Sequence, residues 1–217
     1  MTEAKINKSR RVIGLTGGIG MGKTTVSDHL ATVHRLPVLD ADCYAREAVE
    51  PGSLILEQIA DRYGSGILLP DGKLNRHRLG DIVFNSSSER LWLEQQIHPY
   101  VRERLVEAMQ SPPLNDSNQY PALVLVIPLL FEARMTDLVT ETWVISCSPE
   151  QQLERLTHRD HLTPVQAQAR INSQMAIQKK LVRADVVLDN SSTVEHLLAQ
   201  VDAQLQLKST GLVGQRC

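Results

Sequence analysis

The sequence predicts an α/β protein in which a parallel sheet is flanked on both faces by helices and interrupted by a helical insertion. Short apolar runs rich in β-branched residues, "RVIGLT", "LPVLDAD", "ALVLVIPLLFE", "TWVISC" and "ADVVLDN", recur with helical or mixed segments between them. Near-continuous apolar strands alternating with helices mark a parallel sheet buried on both faces. A glycine-rich turn joins the first run to the first helical pattern. Between the second and third runs lie about eighty residues that abandon the alternation and read as mostly helical; a stretch that long is a lobe rather than a loop.

In chain order, residues 1–10 read as a short disordered lead, and 11–16 as a buried strand bounded by glycines. "KTTVSDHLATV" then places Val26, Leu30 and Val33 at roughly helical spacing. Residues 36–42 form a second strand ending in Asp40 and Asp42. The insertion carries "SLILEQIADRYG", "RHRLGDIVF" and "SSSERLWLEQQIHPYVRERLVEAM", the last with Ser88 as N-cap and an apolar stripe of Leu91, Ile97, Val101 and Leu105. "SPPLNDSNQYP" at 111–121 connects back to strands at 122–132, 142–147 and 184–190. Between the last two, Thr163 is placed as an N-cap, Pro164 at the first helical position and Gln166 where a capping box has it. The expected division is a core of 11–44 and 121–207, a lobe of 45–120 and a flexible tail of 208–217.

At 217 residues the chain suits one core with a large insertion. A hydrophobic fraction of 42%, a charged fraction of 22% and a formal charge of -2 are ordinary for a globular protein and give no reason to expect nucleic acid as partner. Acidic ligands must be caught by local sites. The three cysteines, Cys43, Cys147 and Cys217, show no CxxC spacing, which fits a reducing compartment. No run approaches the ~18 apolar residues of a membrane span, and no apolar segment follows the polar start. A cytoplasmic protein is expected, its oligomeric state open.

Gly17-Gly18-Ile19-Gly20-Met21-Gly22-Lys23-Thr24 satisfies Gly-x-x-x-x-Gly-Lys-Ser/Thr, the P-loop pattern. Glycines let consecutive backbone N–H groups turn inward on phosphate oxygens, the helix N-terminus adds positive character, Lys23 reaches the β/γ-phosphates, and the Thr24 hydroxyl suits Mg²⁺. The plainer reading gives the glycines a packing role only. The strand-loop-helix setting favours the cradle, with Thr25 beside it, and the fold class becomes a P-loop NTPase type. "DRYG" at 61–64 resembles a GTPase switch, but no Asn-Lys-x-Asp follows, so Gly64 reads as a helix terminator. A transporter's Ser-Gly-Gly signature is lacking. A small-molecule kinase remains, and it needs a carboxylate near the acceptor hydroxyl and arginines over the transferring phosphate.

Asp40 and Asp42 stand at the carboxyl end of a predicted strand, where ligands of open parallel sheets bind. At i, i+2 in extended chain both carboxylates would point the same way, one toward the acceptor and one toward Mg²⁺; a capping or solvated role is the alternative for each. Arg155 and Arg159, four apart on a helix, either clamp phosphates or are solvated. Arg46 and Arg76 carry the same two readings. His98, before Pro99, reads as structural or substrate-contacting, and Trp92 and Trp143 as core. Cys43 has no histidine partner to make it a nucleophile.

"GLTGGIGMGKTTV", "PVLDAD-x-x-AR-x-x-V-x-PG", "LNRHRL", "IHP", "VIPLLFE", "QLERLTHRD" and "ADVVLDN", in that order, resemble the dephospho-coenzyme A kinase family from about Val12 to Leu207. The resemblance implies a P-loop kinase core, a helical substrate lobe and a lid near 150–180. It also implies transfer of the ATP γ-phosphate to the ribose 3′-hydroxyl of dephospho-coenzyme A. By the same resemblance Asp42 is the general base, Arg159 belongs to the lid and Asn190 lies near the adenine end. Two positions depart from the family's usual pattern: Met21 stands where Ser is commonest, and Lys180 where many members have Arg. Altered nucleotide affinity is the expected limit of their effect. The rival readings are a nucleoside or nucleoside-monophosphate kinase and a nucleotide-sensing module without an acceptor.

Overall fold

The computed structural model describes residues 10–116 and 119–211. The described residues fall into two compact units, one comprising Leu39–Asp116 and the other 10–38 with 119–211. The expected boundaries at 44/45 and 120/121 therefore move a few residues toward the N-terminus. The larger unit contains β1 (Arg11–Gly17), α1 (Lys23–Thr32), β3 (Ala122–Val126), β4 (Glu141–Ser146), α6 (Pro149–Asp160), α7 (Pro164–Asn172), α8 (Ile177–Leu181), β5 (Val186–Asp189) and α9 (Val194–Gly211). The smaller contains α2 (Ala41–Glu47), α3 (Leu54–Tyr63), α4 (Arg76–Asn85) and α5 (Ser87–Gln110), and β2 (Val38–Asp40) crosses the boundary.

The sheet has strand order β2-β3-β1-β4-β5, with β1 parallel to both β3 and β4, and β4 parallel to β5. Alternate residues of the central strands serve opposite faces. Ile13 and Leu15 of β1, Val124 and Val126 of β3, and Trp143 and Ile145 of β4 join Val26 and Leu30 of α1 and Leu197 and Val201 of α9 in one core. Val12, Leu123, Leu125 and Val144, on the other set of alternate positions, are equally buried. The order reverses direction about β1, and the carboxyl end of such a strand is where open parallel sheets bind ligands.

Several strands are shorter than expected. β3 stops at Val126 because Pro128 has no N–H for a ladder, and residues 127–135 turn instead through Leu130 N–H on Ile127 O and Met135 N–H on Leu130 O. β5 is an edge strand that alternates in burial, with Val187 exposed. Val33 lies outside α1 and is exposed. The capping box at Thr163 and Gln166 forms as expected, and Ser148 and Gln151 make a second one at α6. Arg10, placed in the disordered lead, is buried, while residues 1–9 lie outside the described residues. α9 continues to Gly211, so of the expected flexible tail 212–217 lies outside the described residues, as does Cys217.

The smaller unit has its own core of Val49, Leu56, Ile59, Ile67, Leu74 and Leu79, with Trp92, Leu93 and Ile97 packed against it. Gly64 ends α3 with φ 80°, as "DRYG" suggested. The N-cap of α5 is Ser86 rather than Ser88: the Ser86 hydroxyl accepts from Glu89 N–H, and Ser88 already lies in the helix. Leu91 is exposed, because the buried face of α5 turns along its length. That face runs through Leu93 and Ile97 before Pro99 and through Val101, Leu105 and Met109 after it.

Arg62 donates through Nε and Nη2 to the Glu89 carboxylate at 2.7 and 3.0 Å, the Tyr63 hydroxyl donates to it at 2.7 Å, and the guanidinium lies 4.5 Å above the Trp92 ring. Led by the Arg62 bond, these contacts hold the Glu89 carboxyl down at about 2 against its ordinary 4.5. With the folded pKa depressed, the contribution is full above 4.5 and is lost as pH falls from there toward 2; solvent screening keeps it modest. Glu89→Gln is expected to lower the melting temperature slightly at neutral pH and to lose less on acidification, so the two melting curves should converge toward pH 2.

Candidate functional site

The glycine loop leaves β1 at Gly17 and enters α1 at Lys23. Gly22 is the N-cap of α1 at φ 98°, and a Cβ there would stand 2.3 Å from Asn190 Nδ2. A Cβ on Gly17 would meet Ile145 O at 2.5 Å. With no side-chain cap from Gly22, the first-turn amides of α1 present the helix's positive end. Lys23 Nζ donates to Gly17 O and Gly18 O at 3.1 and 2.9 Å, which folds the amine back across the loop. Thr24 is exposed and Thr25 half-buried.

Side chains from later in the chain fix the loop's shape. Gln174 Oε1 accepts from Ile19 N–H and Gln152 Nε2 donates to Ile19 O, each at 2.8 Å, so both ends of that peptide region are held. Asn190 Nδ2 donates to Met21 O at 3.0 Å from a buried position. Asn190, expected at the adenine end of a nucleotide, thus braces the loop. Met21 is 1% exposed and belongs to the sheet core, while its Sδ accepts from Gly18 N–H at 3.2 Å. Met21 N–H is held by Gly18 O. The amides of Gly18, Ile19 and Met21, expected to face phosphate, have protein acceptors here.

Lys180 is fully enclosed, pairing with Glu132 Oε1 at 2.9 Å and donating to Pro128 O at 2.8 Å. Pro128 O also accepts from Thr16 Oγ1, and Glu132 Oε1 from Met175 N–H. This network joins the last turn of β1, the exit of β3 and the segment carrying Gln174. Arg155 Nη2 donates to Asn190 O at 3.0 Å. Arg159 is mostly exposed and pairs with Asp160 at 2.7 Å; that bond, with Arg170 adding to it, holds the Asp160 carboxyl below the usual range. Arg155 and Arg159 thus have separate protein partners. Cys147 packs against the core, where burial raises its thiol pKa, and Cys43 is exposed.

In the smaller unit, Asp40 ends β2 and caps α2, its Oδ1 accepting from Asp42 N–H at 2.8 Å. Asp42 is exposed in the first turn of that helix. The expected extended i, i+2 pair is therefore a cap and a first-turn residue, because the short side chain of Asp40 satisfies an open helix amide and starts the helix one residue later. A cavity of about 300 Å³ opens beside them, lined by Asp42, Arg46, Arg76 and apolar residues including Val49, Leu79 and Ile97. Arg46 and Arg76 thus share a cavity wall, and Arg76 Nη2 donates to Arg46 O at 3.4 Å. His98 lies half-buried on α5, outside that lining.

Gln152 and Gln174 were not singled out in the sequence. The one signal was positional: Gln152 lies four residues before buried Leu156 and is itself buried, a polar group on an apolar helix face.

A glycine loop closing into a Lys-Thr helix start, at the carboxyl end of the central strand of a parallel sheet, defines a P-loop kinase. Residues 11–196 match the family model described as Dephospho-CoA kinase. A dephospho-CoA kinase from Trichormus variabilis is 58% identical over 200 residues, covering 92% of this chain and 99% of its own. One from Gloeobacter violaceus is 49% identical, covering 93% of this chain and 94% of its own. The solved dephospho-CoA kinase from Campylobacter jejuni superposes with a TM-score of 0.67 at 28% identity, covering 93% and 98% of the two chains. A shikimate kinase from Bacteroides thetaiotaomicron, at 15% identity and a TM-score of 0.53, covers 92% and 98% and shares the fold. The chain belongs to the dephospho-coenzyme A kinase family.

Met21→Ser is expected to lower stability by about 2–5 kcal/mol, the range for emptying a buried methionine site, as read by urea denaturation. Asn190→Ala removes the buried donor to Met21 O, which should cost ~1–3 kcal/mol and weaken ATP binding measured by calorimetry.

Proposed function

We infer that the chain transfers the γ-phosphoryl group of ATP to the ribose 3′-hydroxyl of dephospho-coenzyme A, giving ADP and coenzyme A in the last step of coenzyme A biosynthesis. The observation that carries this reading is the family match over 11–196, which includes both the glycine loop and the whole helical lobe. On this reading the protein works in the cytoplasm on small molecules, with no nucleic acid or membrane partner; no described helix is long and apolar enough to cross a membrane.

The loop from Gly18 to Gly22 shapes the triphosphate site, and the first turn of α1, with Lys23, Thr24 and Thr25, lies against its phosphates. Lys23 exchanges the carbonyls of Gly17 and Gly18 for phosphate oxygens. Mg²⁺ prefers hard oxygen ligands; the exposed Thr24 hydroxyl would hold it, and Asp40 would offer it the carboxylate oxygen that does not cap α2. The ion supplies charge neutralisation on the phosphates when bound. Asp42 is the general base for the 3′-hydroxyl, standing exposed in the first turn of α2. Arg159, in a lid spanning about 150–180, exchanges Asp160 for the transferring group, with Arg155 nearby on the same helix. Arg46, Arg76 and His98 bind the acceptor, whose phosphates suit guanidinium forks and whose apolar parts suit the lobe cavity. Asn190 acts on the nucleotide by holding the loop.

Positioning and electrostatics carry most of such a transfer. Asp42→Asn is therefore expected to keep ATP affinity while kcat falls by roughly 10²-fold or more; turnover near wild type would take Asp42 out of the base role. Purified protein should phosphorylate dephospho-coenzyme A in preference to AMP, CMP or UMP. Preference for a nucleoside monophosphate would point to the rival kinase, and ATP binding with no acceptor-dependent turnover to a sensor.

A further inference from the structure

At the end of α1 opposite the glycine loop lies a group of side chains that phosphoryl transfer does not use. His29 sits in the last turn of α1, His34 in the segment that follows, and Asp202 on α9, all within the larger unit. Both imidazole Nε2 atoms lie 2.7 Å from the same oxygen, Asp202 Oδ1. The two rings meet edge to face, with centroids 5.2 Å apart at 74°. One ligand atom from each residue falls within 4.8 Å of the other two.

We propose that His29 Nε2, His34 Nε2 and Asp202 Oδ1 form a binding site for a borderline divalent transition-metal ion, of which Zn²⁺ is the type. Two imidazole nitrogens and one carboxylate oxygen match such an ion, whereas Mg²⁺ and Ca²⁺ prefer oxygen ligands throughout. Three protein ligands leave the fourth tetrahedral position for water.

The convergence is closer than hydrogen bonding alone requires. Two rings from one short stretch of chain meet a single carboxylate oxygen, although a carboxylate has two. As they stand, both Nε2 atoms must carry protons. Moving each proton to Nδ1, at no net change in charge, turns two lone pairs on the same point. Zinc bonds of about 2.0–2.1 Å place tetrahedral ligands roughly 3.3 Å apart, so the carboxylate must withdraw a little over half an ångström from its present 2.7 Å. Asp202 is 40% exposed, which leaves that rotation room, and His29 and His34 side chains are 12% and 27% exposed, enough for an ion to enter and a water to complete the site. The bound ion would replace two hydrogen bonds to one carboxylate oxygen by three coordinate bonds joining α1 and the segment after it to α9.

The experiment uses the full chain, stripped with chelator and kept free of nucleotide. Co²⁺ is expected to give a tetrahedral nitrogen/oxygen-type visible absorption that saturates at one equivalent and is displaced by Zn²⁺. Zn²⁺ should also raise the melting temperature. His34→Ala and the isosteric Asp202→Asn should both lose the band and the Zn²⁺-dependent shift while keeping ATP turnover, which also reports that they are folded. The proposal is overturned if no band appears in wild type, if the band persists in Asp202→Asn, or if it carries the sulfur-to-metal charge transfer of cysteine ligation.

Discussion

A glycine-rich loop between a strand and a helix has few side chains of its own to hold it in shape, and its conformation depends on partners brought from elsewhere in the chain. The rest of the larger unit follows from that constraint. Gly17 to Thr24 has three glycines at positive φ and no side chain capping α1; within it, Gly18 N–H bonds Met21 Sδ, and Met21 N–H and Lys23 Nζ turn back on the loop's own carbonyls. Gln152, Gln174 and Asn190 provide further restraint, and each acts on a peptide group rather than on another side chain. The buried Lys180–Glu132 pair stands behind them. It ties the exit of β3 to the segment that carries Gln174, and breaking one partner of such a pair costs about 3–5 kcal/mol because the other charge stays buried. Lysine in place of arginine keeps that arrangement: an amine satisfies one carbonyl and one carboxylate oxygen, whereas a planar fork would need more room in a fully closed space.

The smaller unit solves a different problem. Its described residues are mostly helical, so helices supply both its core and the surface beside its cavity. The core comes from α3, α4 and one face of α5, clasped by the Arg62–Glu89–Tyr63 cluster. The surface comes from α2 and α4, which line the cavity with two arginines and Asp42. The glycine loop and the arginine-lined cavity therefore sit on stretches of chain with separate cores.

The elements that depend on local sequence were legible. The strand-loop-helix at the P-loop, the capping box at Thr163 and the Gly64 terminator all follow from residues within one turn of each other. Readings that stretched a local signal failed in instructive ways. "ALVLVIPLLFE" is apolar as far as Phe131, but Pro128 breaks the ladder and hydrophobicity alone does not report a missing donor. Ser86 and Ser88 are equally good caps on paper, and the choice fell to the one whose hydroxyl reaches Glu89 N–H. Asp40 and Asp42 were read as an extended pair with capping as the alternative for each, and which arrangement forms depends on where that strand stops. Contacts joining distant residues left almost no trace. Nothing near Ile19 announces Gln174, and nothing near His29 announces Asp202, because those pairs are made by topology alone.

The brace on Met21 has a temporal consequence. Its donor, Asn190, is 169 residues further along the chain, and Gln152 and Gln174 lie 133 and 155 residues beyond Ile19. The shape of the glycine loop is therefore finished only when residues far along the chain have packed against it. Contacts of such sequence separation form late, after the closure of long loops. A chain that carries the complete glycine motif but has not yet packed Gln152, Gln174 and Asn190 against it has the sequence of the loop without the contacts that fix its shape.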